Sequence, residues 1–223
     1  EAKYGDKMSS ALDIKYRRPS KFEANVTASL LGASAYIGFS TKKFSWSNGV
    51  RYKTTRNLLG SMDTKGEYSP NFLDYQTYMV YTPNKRWEFS LLGNISENHY
   101  NFTPENRETK FGTQQNVKSF KVYFDGWERD LFRTLFGAAS LTFTPNEYNQ
   151  LTLQASAFNT KEEETYDIVG EYWLNDINTD ETMSVGGYIE HARNYLEANV
   201  QTVSLKGFHL AGSHNIQWGT EWK

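Results

Sequence analysis

Residues 78–94 read YMVYTPNKRWEFSLLGN, and residues 140–158 read SLTFTPNEYNQLTLQASAF. In both, an aromatic residue leads into Thr-Pro-Asn, as Thr82-Pro83-Asn84 and as Thr144-Pro145-Asn146, between two alternating stretches. Proline arrives with φ preset for the second position of a turn, and Asn tolerates the left-handed region. Each copy therefore predicts a hairpin tip.

The flanking alternation predicts strands. After the first tip Trp87, Phe89, Leu91, Gly93 and Ile95 share one face, and Glu88, Ser90, Asn94 and Ser96 the other. After the second, Leu151, Leu153, Ala155 and Ala157 oppose Thr152, Gln154 and Ser156. The same period of two recurs at Phe22, Ala24, Val26, Ala28 and Leu30, at Leu196, Ala198 and Val200, and at Ile216, Trp218 and Trp222. A period of two is that of a strand with one apolar and one polar face, and no long stretch has the period of a helix.

Composition narrows the class. The 223 residues carry a formal charge of -2 with no basic stripe, which argues against nucleic acid as a partner. There is no cysteine, hence no disulfide staple or thiol chemistry. No apolar run is long enough for a membrane-spanning helix. Yet 16% of residues are aromatic, and the rings sit at predicted strand ends: Phe39, Phe44 and Trp46 around Lys42-Lys43, Tyr81 and Trp87 around the first tip, Phe143 and Tyr148 around the second. Rings at one level predict a membrane-interface girdle or, on their own, cross-strand aromatic packing near turns.

Connection lengths point the same way. Tight turns at Lys42-Lys43, Pro83, Pro145 and within 207–212 alternate with long segments over 54–70, 97–129 and 160–191, which predict external loops. Short turns at one end and long loops at the other are the asymmetry of outer-membrane barrels. The fold expected is all-β: an antiparallel transmembrane β-barrel with about nine strands in this chain, a number that would also allow a complete small barrel of about eight to ten strands. Negative mean hydropathy is compatible with this, because half of each strand then faces a wet lumen. Arg51, Gln76, Glu88, Gln154, Glu197 and Gln201 are expected to face that lumen, and Trp87, Phe89, Leu91, Leu151, Leu153, Leu196, Ala198 and Val200 to face lipid.

The opening stretch EAKYGDKMSSALDIKYRRPSKFEANVTASLLG resembles the junction of plug and barrel in TonB-dependent outer-membrane receptors, through Tyr4, Gly5, Ser9, Ser10, Leu12, Asp13 and Ile14. RYKTTRNLLGSMDTKGEYSPNFLDYQTY and ETYDIVGEYWLND are also similar to this family, in particular to the subgroup with a carboxypeptidase-regulatory-like domain before the plug. The resemblance implies that 1–19 is the end of a plug domain, with 8–17 turned into the lumen, and that 20–223 begins a twenty-two-stranded barrel with long extracellular loops, of which this chain then forms a partial arc of about nine strands. It further implies residence in the bacterial outer membrane and import of a large nutrient ligand, be it a metal chelate, an oligosaccharide or a peptide. The implied partners are the lipid bilayer, an energy-coupling TonB protein acting through an N-terminal part, and a surface lipoprotein or other outer-membrane subunits. Two other readings are a structural barrel subunit of an outer-membrane complex and a soluble secreted all-β carbohydrate-binding module.

Tyr68, Phe72, Tyr100, Phe102, Tyr123 and Trp127 are candidate ligand-stacking rings on the long loops. The acidic residues from Glu162 to Glu181 lack the oxygen spacing of a calcium loop and read as a solvated external segment. His99, His191, His209 and His214 have no metal-ligand spacing. No nucleophile with its base and no phosphate loop is marked by a motif, so no enzyme, cofactor or metal is expected.

Overall fold

The computed structural model describes residues 14–55, 66–113 and 115–223. Among these residues eleven strands form and no helix: β1 (Glu23–Ser29), β2 (Gly32–Ser40), β3 (Phe44–Thr54), β4 (Gly66–Tyr68), β5 (Asn71–Asn84), β6 (Trp87–Pro104), β7 (Arg107–Thr113), β8 (Asn116–Asn146), β9 (Asn149–Asp176), β10 (Glu181–Ala211) and β11 (His214–Trp222). They make one antiparallel sheet in the order β1-β2-β3-β5-β6-β8-β9-β10-β11, with β4 added to β6 and β7 to β8. The nine strands of that path match the expected number. β1 and β11 are its two ends, and no pairing joins them among the described residues, so the sheet is open.

Both Thr-Pro-Asn segments lie at reversals, but the turn itself falls two residues later than expected. The turning residues are Lys85-Arg86 and Glu147-Tyr148. Each Asn caps its turn: Asn84 Oδ1 accepts the N–H of Arg86 at 2.9 Å, and Asn146 Oδ1 accepts that of Tyr148 at 3.0 Å. The prolines fall where the register slips, between Tyr81 and Asn84 and between Phe143 and Asn146. A ladder hydrogen bond from those positions is not required there, which is how proline is tolerated.

The opposite end departs from expectation. Segments 97–129 and 160–191 are ladder rather than loop: β6 runs on to Pro104, β7 and β8 form a hairpin, and β9 and β10 stay paired from Asp176 and Glu181 downward. Their alternating residues hydrogen-bond as well as any strand, and polarity alone made them look like loops. β1 and β2 also join tightly at Leu30-Leu31, on this far end. Of the segment 54–70, residues 56–65 lie outside the described residues, as do Tyr4 to Asp13 of the junction motif.

Within the extension Gly126 adopts φ 120, and a Cβ there would lie 1.9 Å from the Asp167 carbonyl oxygen. Gly137, eleven residues on, has nothing within 4 Å of its Cβ position. Gly126→Ala is expected to lower stability by about 1–2 kcal/mol, with Gly137→Ala near neutral, read as urea midpoints at equal slope.

Candidate functional site

Register assigns every residue to one of two faces, because directly opposed residues in an antiparallel pair point the same way. One face carries Ala24, Val26 and Ala28 of β1, Ile37 and Phe39 of β2, Phe44, Trp46 and Val50 of β3, and Leu73, Tyr75, Met79 and Tyr81 of β5. It continues through Trp87, Phe89, Leu91 and Ile95 of β6 to Leu135, Leu141 and Phe143 of β8, Leu151 and Leu153 of β9, and Val203 and Leu205 of β10. These side chains are largely uncovered: Phe89 is 45% exposed, Leu91 47% and Val26 78%. The only buried hydrophobic side chain among the described residues is Val80, while Ser45, Asp74, Ser119 and Ser204 are buried.

At the turn end the apolar face carries a belt of touching rings: Phe39 with Phe44 and Trp46, Tyr81 with Phe89, and Trp87 with Phe143 at 4.4 Å. At the other end the face ends on charge. Leu73, Glu97, Arg133, Lys161 and Glu197 form one row across β5, β6, β8, β9 and β10. Arg133 pairs with Glu97 at 3.2 Å and Lys161 with Glu197 at 3.8 Å, so the two central cations are each flanked by an anion. Polar groups inside the apolar face satisfy each other: Trp46 Nε1–H donates to Thr77 Oγ1 at 2.9 Å, and Tyr75 O–H to Asn48 Oδ1 at 2.7 Å.

The second face is polar in the same rows. Arg51 Nε–H donates to buried Asp74 at 2.7 Å, and Ser90 and Ser140 hydroxyls meet at 2.6 Å. The segment before β1 lies against this face. Arg18 grips Glu88 of β6, four strands along the sheet, through two hydrogen bonds of 3.0 and 2.5 Å, and Tyr16 packs on Tyr78 of β5 at 5.2 Å. Of the expected lumen residues, Arg51, Gln76, Glu88 and Gln154 share the polar face, whereas Glu197 and Gln201 lie on the other. Leu196, Ala198 and Val200 are likewise corrected: they oppose Glu162, Thr160 and Phe158 on the face of Asn94 and Ser96, not on that of Leu91. The apolar residues of β10 change sides between Val203 and Val200, short of the charged row, which alternation within one strand cannot reveal.

None of the six candidate rings is on a loop. Tyr68 (β4), Phe72 (β5), Tyr100 and Phe102 (β6) occupy the polar face at the far end. Tyr68 lies 4.7 Å from Phe102 and 6.2 Å from Tyr100, and the Arg51 guanidinium sits 5.0 Å over Phe72. Tyr123 and Trp127 of β8 are on the opposite face, where Arg129 and Arg193 both stack on Trp127 at 4.9 and 5.3 Å. A second ring group on the polar face has no counterpart in the sequence reading: Phe120, Tyr172 and Tyr188 stack at 5.9 and 6.0 Å, with Phe124 edge-on to Tyr188 at 6.3 Å.

Carboxylates lie between the two ring groups. Phe102 faces Glu128 across the ladder, and Tyr100 faces Asp130, which in turn faces Glu164. Burial, reinforced by Glu128, Tyr68 and Asp130, pushes the Tyr100 hydroxyl up to about 12. Burial first, then neighbouring carboxylates, also raises Glu128 and Asp130 above the usual carboxylate range. Among the described residues no three metal-ligating side chains converge. No family model matches the chain, and no curated protein or solved structure matches it.

Proposed function

We propose that this chain is part of the wall of a transmembrane β-barrel in a bacterial outer membrane, an arc of a TonB-dependent receptor that imports a large nutrient ligand. The apolar face meets lipid and the polar face lines the lumen. One observation carries this reading: the sheet leaves its continuous apolar face exposed, while Ser45, Asp74, Val80 and Ser204, among the side chains it buries, lie on the polar face. In water each large side chain so exposed forgoes roughly 1.5–3 kcal/mol of burial. A soluble carbohydrate module would have packed a second layer over that face.

The edge of the apolar band gives further support. Relative to the row of Leu73, its last apolar residue recedes toward the turns by two residues on β6 (Ile95) and β8 (Leu135), by four on β9 (Ala157), and by six on β10 (Val203). At about 3.3 Å per residue and about 4.8 Å per strand, six residues over four steps is a tilt of roughly 45°. Barrel strands cross a bilayer tilted by about 35–45°. Along β6 the band from Trp87 to Ile95 measures roughly 27 Å, or roughly 19 Å along the membrane normal before the rings at its ends are added, against a band of about 25 Å in such barrels.

In this reading the open edges at β1 and β11 pair with further strands, because an unpaired backbone group in hydrocarbon costs several kcal/mol. The segment held by Arg18 and Tyr16 lies inside the lumen, in keeping with a plug. The partners proposed are the bilayer, an energy-coupling TonB protein, and a surface lipoprotein or other outer-membrane subunits.

The orientation is tested with trypsin on intact cells. Cleavage is expected in the β7–β8 hairpin, at Lys110 or Lys118, with Lys42, Lys43, Lys85 and Arg86 spared at the periplasmic turns. The reverse pattern would invert the barrel, and cleavage of both groups would remove the membrane.

A further inference from the structure

Past the charged row the two faces carry different chemistry. The lipid-side face is mixed: Arg129, Arg133, Lys161 and Arg193 alternate with Glu97, Asp167 and Glu197, and three of these cations are ion-paired. On the polar face, in the five rows from Phe132 to Phe124, the positions of β6, β8, β9 and β10 include no Lys or Arg. They include five carboxylates, Glu128, Asp130, Glu162, Glu164 and Glu190, interleaved with rings such as Tyr100, Phe102, Tyr166 and Tyr188.

None of the five carboxylates has an ion-pair partner among the described residues. Asn194 donates one hydrogen bond to Glu164, at 3.1 Å. Asp130 Oδ1 is buried with no hydrogen-bond partner at all. The spacing is regular. Glu162 stands in the first row, Asp130 and Glu164 in the second, Glu128 in the third and Glu190 in the fourth. Successive rows are two residues apart, about 6.8 Å, which is also the repeat of side chains on one side of an extended peptide.

We propose that this far-end stretch of the polar face binds an extended basic peptide, its Lys or Arg side chains meeting the carboxylate rows and its stems and rings packing on the aromatic residues. The proposal rests on the receptor reading, whose ligand it specifies. Unpaired carboxylates, with no Lys or Arg among the positions of these four strands, supply charge complementarity, and the ring faces add cation–π contact. A ladder of four rows is longer than one small cation can use, and a neutral sugar would stack on the rings while leaving every carboxylate unmatched. Desolvation already raises Glu128 and Asp130, so affinity must fall with acidification earlier than for ordinary surface carboxylates.

The test uses the whole barrel that contains these strands, folded in detergent micelles, and fluorescein-labelled hexalysine, read by anisotropy. Saturable binding is expected, weakened by salt. Glu128→Gln, Asp130→Asn, Glu162→Gln and Glu164→Gln together should weaken it by about tenfold or more, and Tyr100→Ala by a few-fold. Glu163→Gln with Glu197→Gln, on the opposite face, should leave it within about twofold. If the fourfold variant fails to fold by circular dichroism, E128Q and D130N singly should each weaken binding measurably. Absence of saturable binding, equal weakening by the opposite-face pair, or binding by the neutralised chain at wild-type strength would overturn the proposal. So would displacement of the peptide by maltohexaose at constant charge, which marks a sugar platform. Because micelles suffice, peptide binding with lipid-inaccessible strands would retire the membrane reading alone, and inserted strands without peptide binding would retire this proposal alone.

Discussion

Leu91→Arg is expected to destabilise the inserted protein by about 2–4 kcal/mol, the cost of a cation near the middle of a lipid-facing band. Leu91 sits on the apolar face with Met79 and Ala139 beside it, four residues from Trp87 at the ring belt and six from Glu97 at the charged row. Arginine there has a long way to reach either interface. Leu196→Arg is the matched comparison. Leu196 is more exposed than Leu91, at 54%, but lies beyond the band on the polar face, so little change is expected. Urea titration of both variants refolded into vesicles separates the accounts, since a water-facing sheet would tolerate both substitutions alike.

Arg51→Ala is expected to cost about 2–3 kcal/mol, because it leaves a buried carboxylate without its cation. Asp74 is 7% exposed, and the Arg51 guanidinium both donates to it and lies over Phe72. Asp74→Asn should cost less, since an amide needs no counter-charge. Restoring stability in Arg51→Ala by adding Asp74→Asn would show that the penalty is the stranded charge. An equal loss for Arg51→Ala and for exposed Arg17→Ala would contradict it.

Much of this arrangement was legible in the sequence because strand physics is local. Thr-Pro-Asn at 82–84 and 144–146 announces two reversals, and the alternation of Trp87 to Ile95 or Leu151 to Ala157 identifies a two-faced strand without reference to its neighbours. Relations between strands were not legible. Leu196, Ala198 and Val200 alternate as cleanly as Leu151 and Leu153, yet only pairing with Thr160 and Phe158 reveals that they point the other way. The far-end ladders were hidden because Glu162 to Glu164 and Glu128 to Asp130 look like solvated loop. A period-two count would have separated Glu162 and Glu164 from Glu163, and so divided the acidic run between two faces. The rings divided similarly: Tyr68, Tyr100 and Phe102 converge because β4 lies against β6, a pairing between segments more than thirty residues apart. Tyr123 and Trp127 share only their residue type with these rings and lie on the opposite face.

The central claim is that the exposed apolar face lies in hydrocarbon. Nitroxide labels placed singly at Phe89, Leu91 and Leu153, and on the polar face at Gln76 and Gln154, test it in reconstituted vesicles by relaxation with oxygen and with a water-soluble nickel chelate. The account predicts strong oxygen and weak nickel relaxation at the first three sites and the opposite balance at the last two. Strong nickel access at Phe89, Leu91 and Leu153 alike would contradict it.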